Sequence, residues 1–351
     1  MTRWQTIAVV SGVAGALLFV WTLRTAGAGA VVAGAERLGV GFVVVLLVGG
    51  MRYLLRAAAW RWSFDAGPPS MASAFAAYAA GDALGNVTPF GPLVSEPSKI
   101  VLTRGRVDPA AAVPALAVEN LFYGASVAVM LLVGTAALLI VFDVPPLVRR
   151  ASLAMFAATA AATVVAAWAI ASRRRVASGI ARRLGADTAR ITDVEDRVFR
   201  FGGGQPRRVL LVAALEAAYH AAAVFEIWFA IRAITGTPPT LVTALVLEYV
   251  NRAITVTFQF VPMWLGVDEA GTGAIASALG LGAASGVTLA LVRKARMLAW
   301  TAVGLAVWGL SLRRAVDANR DLATMIVNAD EDRHRRRHRI PRSTPGELAG
   351  R

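Results

Sequence analysis

The chain has 351 residues, of which 57% are hydrophobic and 17% are charged, and its mean hydropathy is +0.59. A soluble domain of this size carries fewer apolar and more charged residues, so the composition predicts an all-α polytopic membrane protein. The lack of cysteine excludes disulfides and thiol chemistry. No His-Glu-x-x-His motif occurs, which argues against a metal-dependent membrane protease. The sequence predicts no catalytic residue, metal or cofactor.

The net charge of +14 comes from 36 basic and 22 acidic residues. The arginines cluster between the apolar stretches and in the C-terminal tail, a pattern that indicates cytoplasmic segments rather than a nucleic-acid partner. On this basis Arg52, Arg56 and Arg61 are assigned to one cytoplasmic loop. We expect a cell-membrane protein whose N- and C-termini both lie in the cytoplasm.

Seven apolar stretches are each near the length that crosses ~30 Å of hydrocarbon. They are residues 6–23, 38–58, 112–141, 151–171, 208–232, 238–261 and 286–312. The first stretch also has the features of a signal peptide, but an uncleaved span is favoured because many spans follow. Two further stretches, 71–104 and 264–283, are shorter or broken and are read as re-entrant hairpins or discontinuous spans. The total is about seven to nine spans.

The predicted organisation has four parts. Residues 1–172 form a first membrane half, and residues 208–312 form a second. The basic segment 173–207 between them, with Gly202-Gly203-Gly204, is a flexible or amphipathic cytoplasmic linker. Residues 313–351 form a basic cytoplasmic tail that is polar from about residue 315 and disordered near its end.

The first candidate for a site is the stretch from Asn86 to Lys99. Pro89, Pro92 and Pro97 each remove a backbone donor, and Gly91 adds a flexible point, so the stretch reads as a broken helix. Asp82, Asn86, Glu96 and Lys99 stand around this break. Broken backbone at membrane depth persists only where protein buries it or a wet cavity solvates it, which makes the stretch a candidate binding site.

A second break in the other half matches the first. An offset of 173 residues sets Asn86 on Gln259, Pro89 on Pro262 and Glu96 on Glu269. Interrupted segments at matching places in two halves are a pointer to a transporter-type site, so we predict an internal two-fold repeat. Coincidence is the alternative, and the choice between an inverted and a parallel repeat stays open.

Charged residues inside the apolar stretches need an explanation, because each costs ~2.5–3.5 kcal/mol on insertion scales. Glu248, Asn251, Arg252, Thr255 and Gln259 form one helical stripe that leads to the Pro262 break. The functional hypothesis is a polar cavity in which basic side chains hold a phosphate and carboxylates balance their charge or carry protons. The alternative is structural pairing, as Glu96 with Lys99, Glu248 with Arg252, or Glu119 with a basic partner. Glu216 and His220 are given the structural interpretation. The predicted substrate-binding residues are Asn86, Pro89, Glu96, Lys99, Glu119, Glu248, Arg252, Gln259, Pro262, Asp268, Glu269, Arg293 and Arg296.

These two regions resemble a known family. The pattern Asn-x-x-Pro-x-Gly from Asn86, followed by Glu96, Lys99 and Val118-Glu119, is similar to the first signature of the lysylphosphatidylglycerol-synthase transmembrane-domain family, also called flippase-like integral membrane proteins. Pro262 with Leu265-Gly266-Val267-Asp268-Glu269-Ala270 and the later Arg293 is similar to its second signature. The resemblance covers most of residues 1–312. The chain departs from the family at Glu119-Asn120, where Glu-Arg is usual, and at Gly91-Pro92, where Gly-Gly is common.

The resemblance implies a flippase-like transporter that moves the head group of a phospholipid or of a polyprenyl-phosphate-linked glycolipid. Because the chain ends at residue 351, it is not expected to carry an aminoacyl-transferase domain. Two other functions stay open. One is a membrane partner subunit of an enzyme of lipid or cell-envelope glycan synthesis. The other is a membrane enzyme acting on a lipid-linked phosphate, although the sequence shows no nucleophile–base pair. A homodimer of the chain is a separate possible assembly.

Overall fold

The computed structural model describes residues 3–88, 91–183, 185 and 188–338. This part of the chain is helical, as predicted, and contains no β-strand. The first helices are α1 (Arg3–Ala26), α2 (Ala28–Leu38), α3 (Phe42–Trp62), α4 (Met71–Asn86), α5 (Pro92–Thr103), α6 (Pro109–Val141) and α7 (Pro146–Ala171). The remaining helices are α8 (Val176–Arg183), α9 (Ala189–Gly204), α10 (Pro206–Thr235), α11 (Leu241–Thr257), α12 (Val267–Ala278) and α13 (Ala283–His338), with short 3-10 turns at Gly39–Gly41 and Pro262–Trp264.

Five helical segments are long and apolar enough to cross a membrane, and they contain five of the predicted spans. They are Ala28–Trp62, Pro109–Val141, Pro146–Ala171, Pro206–Thr235 and Ala283–Arg313. The described part of the first predicted span is a shorter apolar helix, Gly12–Ala26. The predicted span 238–261 corresponds to α11, which has only 17 residues. The total number of spans therefore remains a prediction.

The described residues up to Leu305 form one compact unit, and those from Ala306 form a second. In the second unit the chain is helical as far as His338. The predicted disordered end of the tail lies within residues 339–351, outside the described residues.

Local sequence explains where several helices begin and end. Ser70 and Thr240 precede α4 and α11, and their side chains accept hydrogen bonds from the backbone N–H groups three residues on. Asp108 caps α6 in a similar way, and Pro109 follows at a position where no backbone donor is needed. Helix α10 ends at Gly236, whose φ of 80° suits glycine.

The main apolar core lies where α6, α10, α11, α12 and α13 pack together. Leu138, Ile231, Leu247 and Leu289 are all fully buried there. Gly134 allows α6 to approach α11 closely, because a Cβ at this position would overlap the Cβ of Tyr249. A second core joins α3, α4 and α6 around Trp60 and Tyr78. These two cores fix the helices that carry the charged residues of the candidate site.

The linker is helical rather than extended coil. Helix α9 places Phe201, only 2% exposed, against Val118, Val212 and Phe122. On the same helix, Arg197 donates to the carbonyl oxygen of Ser63 at 3.1 Å and pairs with Asp65. The three glycines of the linker are the last residues of α9.

Both predicted breaks interrupt helices in the structure. The first separates α4 from α5, whose first residue is Pro92, and Pro89 and Phe90 lie outside the described residues. The second separates α11 from α12, and Met263 and Trp264 there have left-handed φ values of 54° and 49°. A left-handed conformation costs energy for a side-chain-bearing residue, so the surrounding structure must hold this turn in place.

Candidate functional site

A polar cavity of about 170 Å³ lies where α3, α4, α10, α11, α12 and α13 converge on the second break. Its charged lining is dominated by cations. The basic residues are Arg52, Arg56, Arg252, Arg293, Lys294 and Arg296, and the acidic residues are Asp82 and Asp268. The other lining residues are Gly49, Tyr53, Tyr78, Asn86, Tyr219, Asn251, Thr255, Met263, Trp264, Met297 and Trp300. Six of the eight charged lining residues are thus cations, and most of the carboxylates that pair with them lie behind the lining.

Three of the cations are each held by one carboxylate. Arg252 Nε lies 2.7 Å from Glu248 Oε1, one helical turn earlier on α11. Arg293 Nη2 lies 2.6 Å from Asp268 Oδ1, and Lys294 pairs with Glu269. Buried charges of this kind need such partners, because each would otherwise carry a large desolvation cost.

Arg52 and Arg296 share one carboxylate. Arg52 Nη1 lies 3.3 Å from Glu226 Oε2, and Arg296 Nε lies 3.0 Å from Glu226 Oε1. These two guanidinium groups thus share one counter-ion. Asp82, which lines the same cavity, has no ion-pair partner among the described residues.

Tyrosine hydroxyls fix the orientation of the arginines. The Tyr219 hydroxyl accepts from Arg52 Nη2 at 2.9 Å and from Arg252 Nη2 at 3.2 Å. The Tyr123 hydroxyl accepts from Arg252 Nη1 at 3.1 Å. The guanidinium of Arg56 also stacks over the Tyr123 ring, 3.6 Å from its centroid. These contacts leave the arginine side chains preorganised rather than free to swing.

Some arginine donors point at no protein acceptor. Nε and Nη1 of Arg293 are buried and have no hydrogen-bond partner among the described residues, and the same is true of Arg52 Nε. A buried, unsatisfied N–H of a charged group is costly, and an anion in the adjoining cavity would satisfy it. Arg293 is therefore the best candidate for a direct contact with a bound anion.

The helix breaks supply the uncharged part of the lining. Asn86 at the end of α4 donates through Nδ2 to Thr301 Oγ1 at 3.1 Å, which ties the first break to α13. Met263 and Trp264 of the second break line the cavity directly, and Trp264 Nε1 donates to the Thr255 carbonyl oxygen at 3.3 Å. Both broken segments thus reach the same polar space.

The predicted site residues fall into three groups. Asn86, Arg252, Asp268, Arg293 and Arg296 line the cavity. Glu248 and Glu269 lie behind it and pair with lining cations, as Glu119 does with Arg56. Four others do not line it: Glu96 and Lys99 pair with each other at 2.7 Å, Pro262 begins the 3-10 turn, and Gln259 is exposed. Pro89 lies outside the described residues.

The assignment of Arg52 and Arg56 to a loop is wrong. Both lie inside α3, and Arg52 is 7% exposed. Only Arg61 is near the loop, where its Nε donates to the Pro69 carbonyl oxygen at 2.7 Å. The spacing of Arg52 and Arg56 by four residues could have indicated a shared helix face, because residues four apart lie on the same side of a helix. Tyr219 was also missed, and its position between Glu216 and His220 gave no distinct pattern.

Asn120 stands where the related family usually has arginine. Its Nδ2 donates to Glu96 Oε2 at 2.7 Å, and its Oδ1 accepts from Arg56 Nη2 at 3.4 Å. The amide therefore bridges the Glu96–Lys99 pair and Arg56 without adding a charge. Among the described residues no group of three or more His, Cys, Asp or Glu is arranged to hold a metal ion.

The helices and their buried ion pairs define an integral membrane protein with a polar interior. The sequence matches the lysylphosphatidylglycerol synthase TM region over residues 6–306. The chain therefore belongs to this family, which is a membrane domain of lipid-modifying or flippase-like proteins. No curated protein and no solved structure matches the chain.

Proposed function

We propose that this protein translocates the head group of an anionic phospholipid, or of a polyprenyl-phosphate-linked glycolipid, across the cell membrane. The observation that carries the proposal is the cationic cavity with Nε and Nη1 of Arg293 unsatisfied. A phosphate is the common chemistry of both lipid classes, and it accepts two parallel N–H bonds from one guanidinium.

A lipid also needs room for its chains, and an apolar groove of about 660 Å³ lies beside α6. Its walls come mainly from α6, α7 and α9, and Phe122 of α6 is part of them. The next residue, Tyr123, contacts the cavity arginines Arg56 and Arg252. A chain in the groove would therefore leave its head group close to the cavity, so a wholly enclosed channel is unnecessary.

The helix boundaries favour the internal repeat. The offset of 173 residues sets Trp62, the end of α3, on Thr235, the end of α10. It also sets α5 on α12 to within two residues at each end, and the start of α6 one residue before the start of α13. On this proposal α3–α6 and α10–α13 are the two repeats, and each contains one broken segment.

The broken segments would work as paired hairpins. Helices α4 and α5 have 16 and 12 residues, and α11 and α12 have 17 and 12. Each is too short to cross ~30 Å of hydrocarbon alone. Hairpins that enter from the two sides and meet at the cavity would give a head group access to both leaflets in turn. The basic linker and tail then face the cytoplasm.

The direct test is leaflet exchange in liposomes that contain the purified protein. Head-group-labelled phosphatidylglycerol, phosphatidylethanolamine and a polyprenyl phosphate are compared for the wild type and Arg293→Gln. We expect exchange of one phosphate-bearing class that is lost in Arg293→Gln and kept in Arg37→Gln, an arginine outside the cavity. Folded wild-type protein that exchanges none of these lipids would overturn the proposal.

A further inference from the structure

Two carboxylates in the interior face a single guanidinium. Glu119 on α6 and Glu216 on α10 are 0% and 1% exposed. Arg56 on α3 pairs with Glu119, and its Nε lies 3.6 Å from Glu216 Oε1. Glu119 Oε2 and both carboxylate oxygens of Glu216 have no hydrogen-bond partner among the described residues. Arg56 thus neutralises one negative charge, and a second is left over.

Most of the other charges around this pair are matched. Asp82 on α4 lines the cavity with Arg56 and is a further carboxylate without an ion-pair partner among the described residues. Lys99 on α5 is held by Glu96 at 2.7 Å. On α11, Arg252 is held by Glu248. Within α10, the His220 Nε2 atom lies 3.0 Å from Ser126 Oγ. Tyr78, Tyr123 and Tyr219 add only neutral hydroxyls and ring faces to the region.

Charged groups on the remaining neighbouring helices are engaged elsewhere or exposed. Arg197 of α9 pairs with Asp65, and Arg52 of α3 pairs with Glu226. The other ionisable groups on these helices whose side chains are described are Glu36 and Arg37 on α2, Arg149 and Arg150 on α7, and Asp193, Glu195, Asp196 and Arg200 on α9. Glu195 and Asp196 bond within the linker, and Arg37 bonds to Ile234 near the far end of α10.

We propose that Glu119 and Glu216 together hold one exchangeable proton, and that Arg56 couples this proton to anion binding in the cavity. Two ionised carboxylates in a desolvated site repel each other, and one proton removes the excess charge. The protonated carboxyl also gains an O–H donor where the structure has only unsatisfied acceptors. The proton site stands on its own, whereas its coupling rests on the proposed function.

The sign of the coupling follows from the position of Arg56, which lines the cavity. An anion in the cavity shares the charge of Arg56 and so weakens its hold on the carboxylate pair. The pair then binds its proton more tightly, so proton uptake accompanies anion binding. By linkage, the affinity for the anion rises as the pH falls through the range where the pair titrates.

Glu226 provides a matched control on the same helix. It faces two guanidinium groups, those of Arg52 and Arg296, whereas Glu216 shares one with Glu119. Glu226 is similarly buried, at 3% exposed, but its single negative charge faces two positive charges. Glu226 is therefore the control for a buried carboxylate that is matched by cations.

The test is infrared difference spectroscopy of the full chain in nanodiscs, which detects the carbonyl stretch of a protonated carboxylic acid. We expect such a band to disappear on raising the pH of the wild type, to be absent from Glu119→Gln and Glu216→Gln, and to persist in Glu226→Gln. Glu216→Gln mimics the protonated acid and is expected to fold even if Glu119→Gln does not. A wild type without the band, or Glu216→Gln that retains it, would overturn the proton site.

The coupling is tested by measuring proton uptake when dihexanoyl-phosphatidylglycerol is added to the same nanodiscs. At a pH where the infrared band of the lipid-free wild type has largely disappeared, we expect uptake of up to one proton per lipid bound in the wild type and in Glu36→Gln, an exposed carboxylate, and its loss in Glu216→Gln. Binding without uptake would refute the coupling. A titrating band in a protein that exchanges no lipid would refute the proposed function and leave the proton site intact.

Discussion

Arg293 and Asp268 are joined across α13 and α12, with Nη2 of the arginine 2.6 Å from Oδ1 of the aspartate. Thr272 Oγ1 accepts from the same nitrogen at 2.8 Å. Only Nη2 is engaged in this way, while Nε and Nη1 have no partner among the described residues. The ion pair therefore anchors the guanidinium through one nitrogen and leaves Nε and Nη1 buried without an acceptor in the described part of the chain.

Arg293→Lys is expected to keep the fold and lose function. Lysine preserves the charge and the pairing with Asp268 but lacks the planar second edge that binds a phosphate. Losing hydrogen bonds to a charged group costs ~1.5–3 kcal/mol, so lipid exchange should fall by roughly tenfold to a hundredfold. Exchange rates and thermal unfolding of the variant are compared with those of Arg37→Lys. An unchanged exchange rate would exclude Arg293 from the head-group path.

Glu269→Gln is expected to destabilise the protein through Lys294. Glu269 is fully buried, accepts from Gly266 N at 2.7 Å and pairs with Lys294. A glutamine keeps the backbone contact but leaves a buried ammonium without a counter-charge, which costs ~3–5 kcal/mol. The double variant Glu269→Gln/Lys294→Met should recover most of the loss in thermal unfolding. A single variant as stable as the wild type would contradict the pairing.

Two glycines of α6 form a matched pair. A Cβ at Gly134 would overlap Tyr249 of α11, whereas a Cβ at Gly124 would meet nothing within 4 Å. Gly134→Ala should lower the free energy of unfolding by ~1–3 kcal/mol, because overpacking strains neighbouring backbones. Gly124→Ala should be neutral or slightly stabilising, since alanine has the higher helix propensity. Equal effects of the two substitutions would mean that α6 and α11 do not pack as described.

The topology can be tested by introducing single cysteines, because the chain has none. Gly203 lies in the last turn of α9 and Pro238 follows α10, so the two positions flank a helix of 30 residues. A helix of this length is about 45 Å long, enough to cross the bilayer once. Gly203→Cys should react with an impermeant maleimide only from the cytoplasmic side, and Pro238→Cys only from the outside. Labelling of both from one side would refute the assignment.

The sequence predicted the helix breaks because proline and glycine act locally. Pro92 and Pro262 restrict the backbone in any context, and Gly91 permits conformations that other residues avoid, so their effect is visible without knowing the fold. The apolar stretches could also be predicted from the sequence, since five of them lie within long apolar helices of the structure. The pairing of Glu248 with Arg252 was also among the expectations, as both lie one turn apart on a single helix.

The sequence did not predict which carboxylate each arginine of α3 would meet. Arg52 pairs with Glu226 and Arg56 with Glu119, and these partners are remote in the chain. Arginine is also common in cytoplasmic loops, so the local charge alone favoured the incorrect assignment of Arg52 and Arg56 to a loop. Partner selection depends on how α3 packs against α6 and α10, which no local pattern encodes.

Helix α7 has a practical consequence for every measurement above. None of its most apolar 18-residue window is buried inside the protein. The surrounding amphiphile is thus the solvent for this helix, and 26 residues give it a length of about 39 Å. Short-chain detergents that form a thin belt would leave part of it in water. Unfolding temperatures should then rise with the alkyl-chain length of the detergent. Variants must therefore be compared in the same detergent, so that the thickness of the belt around α7 is the same for all of them.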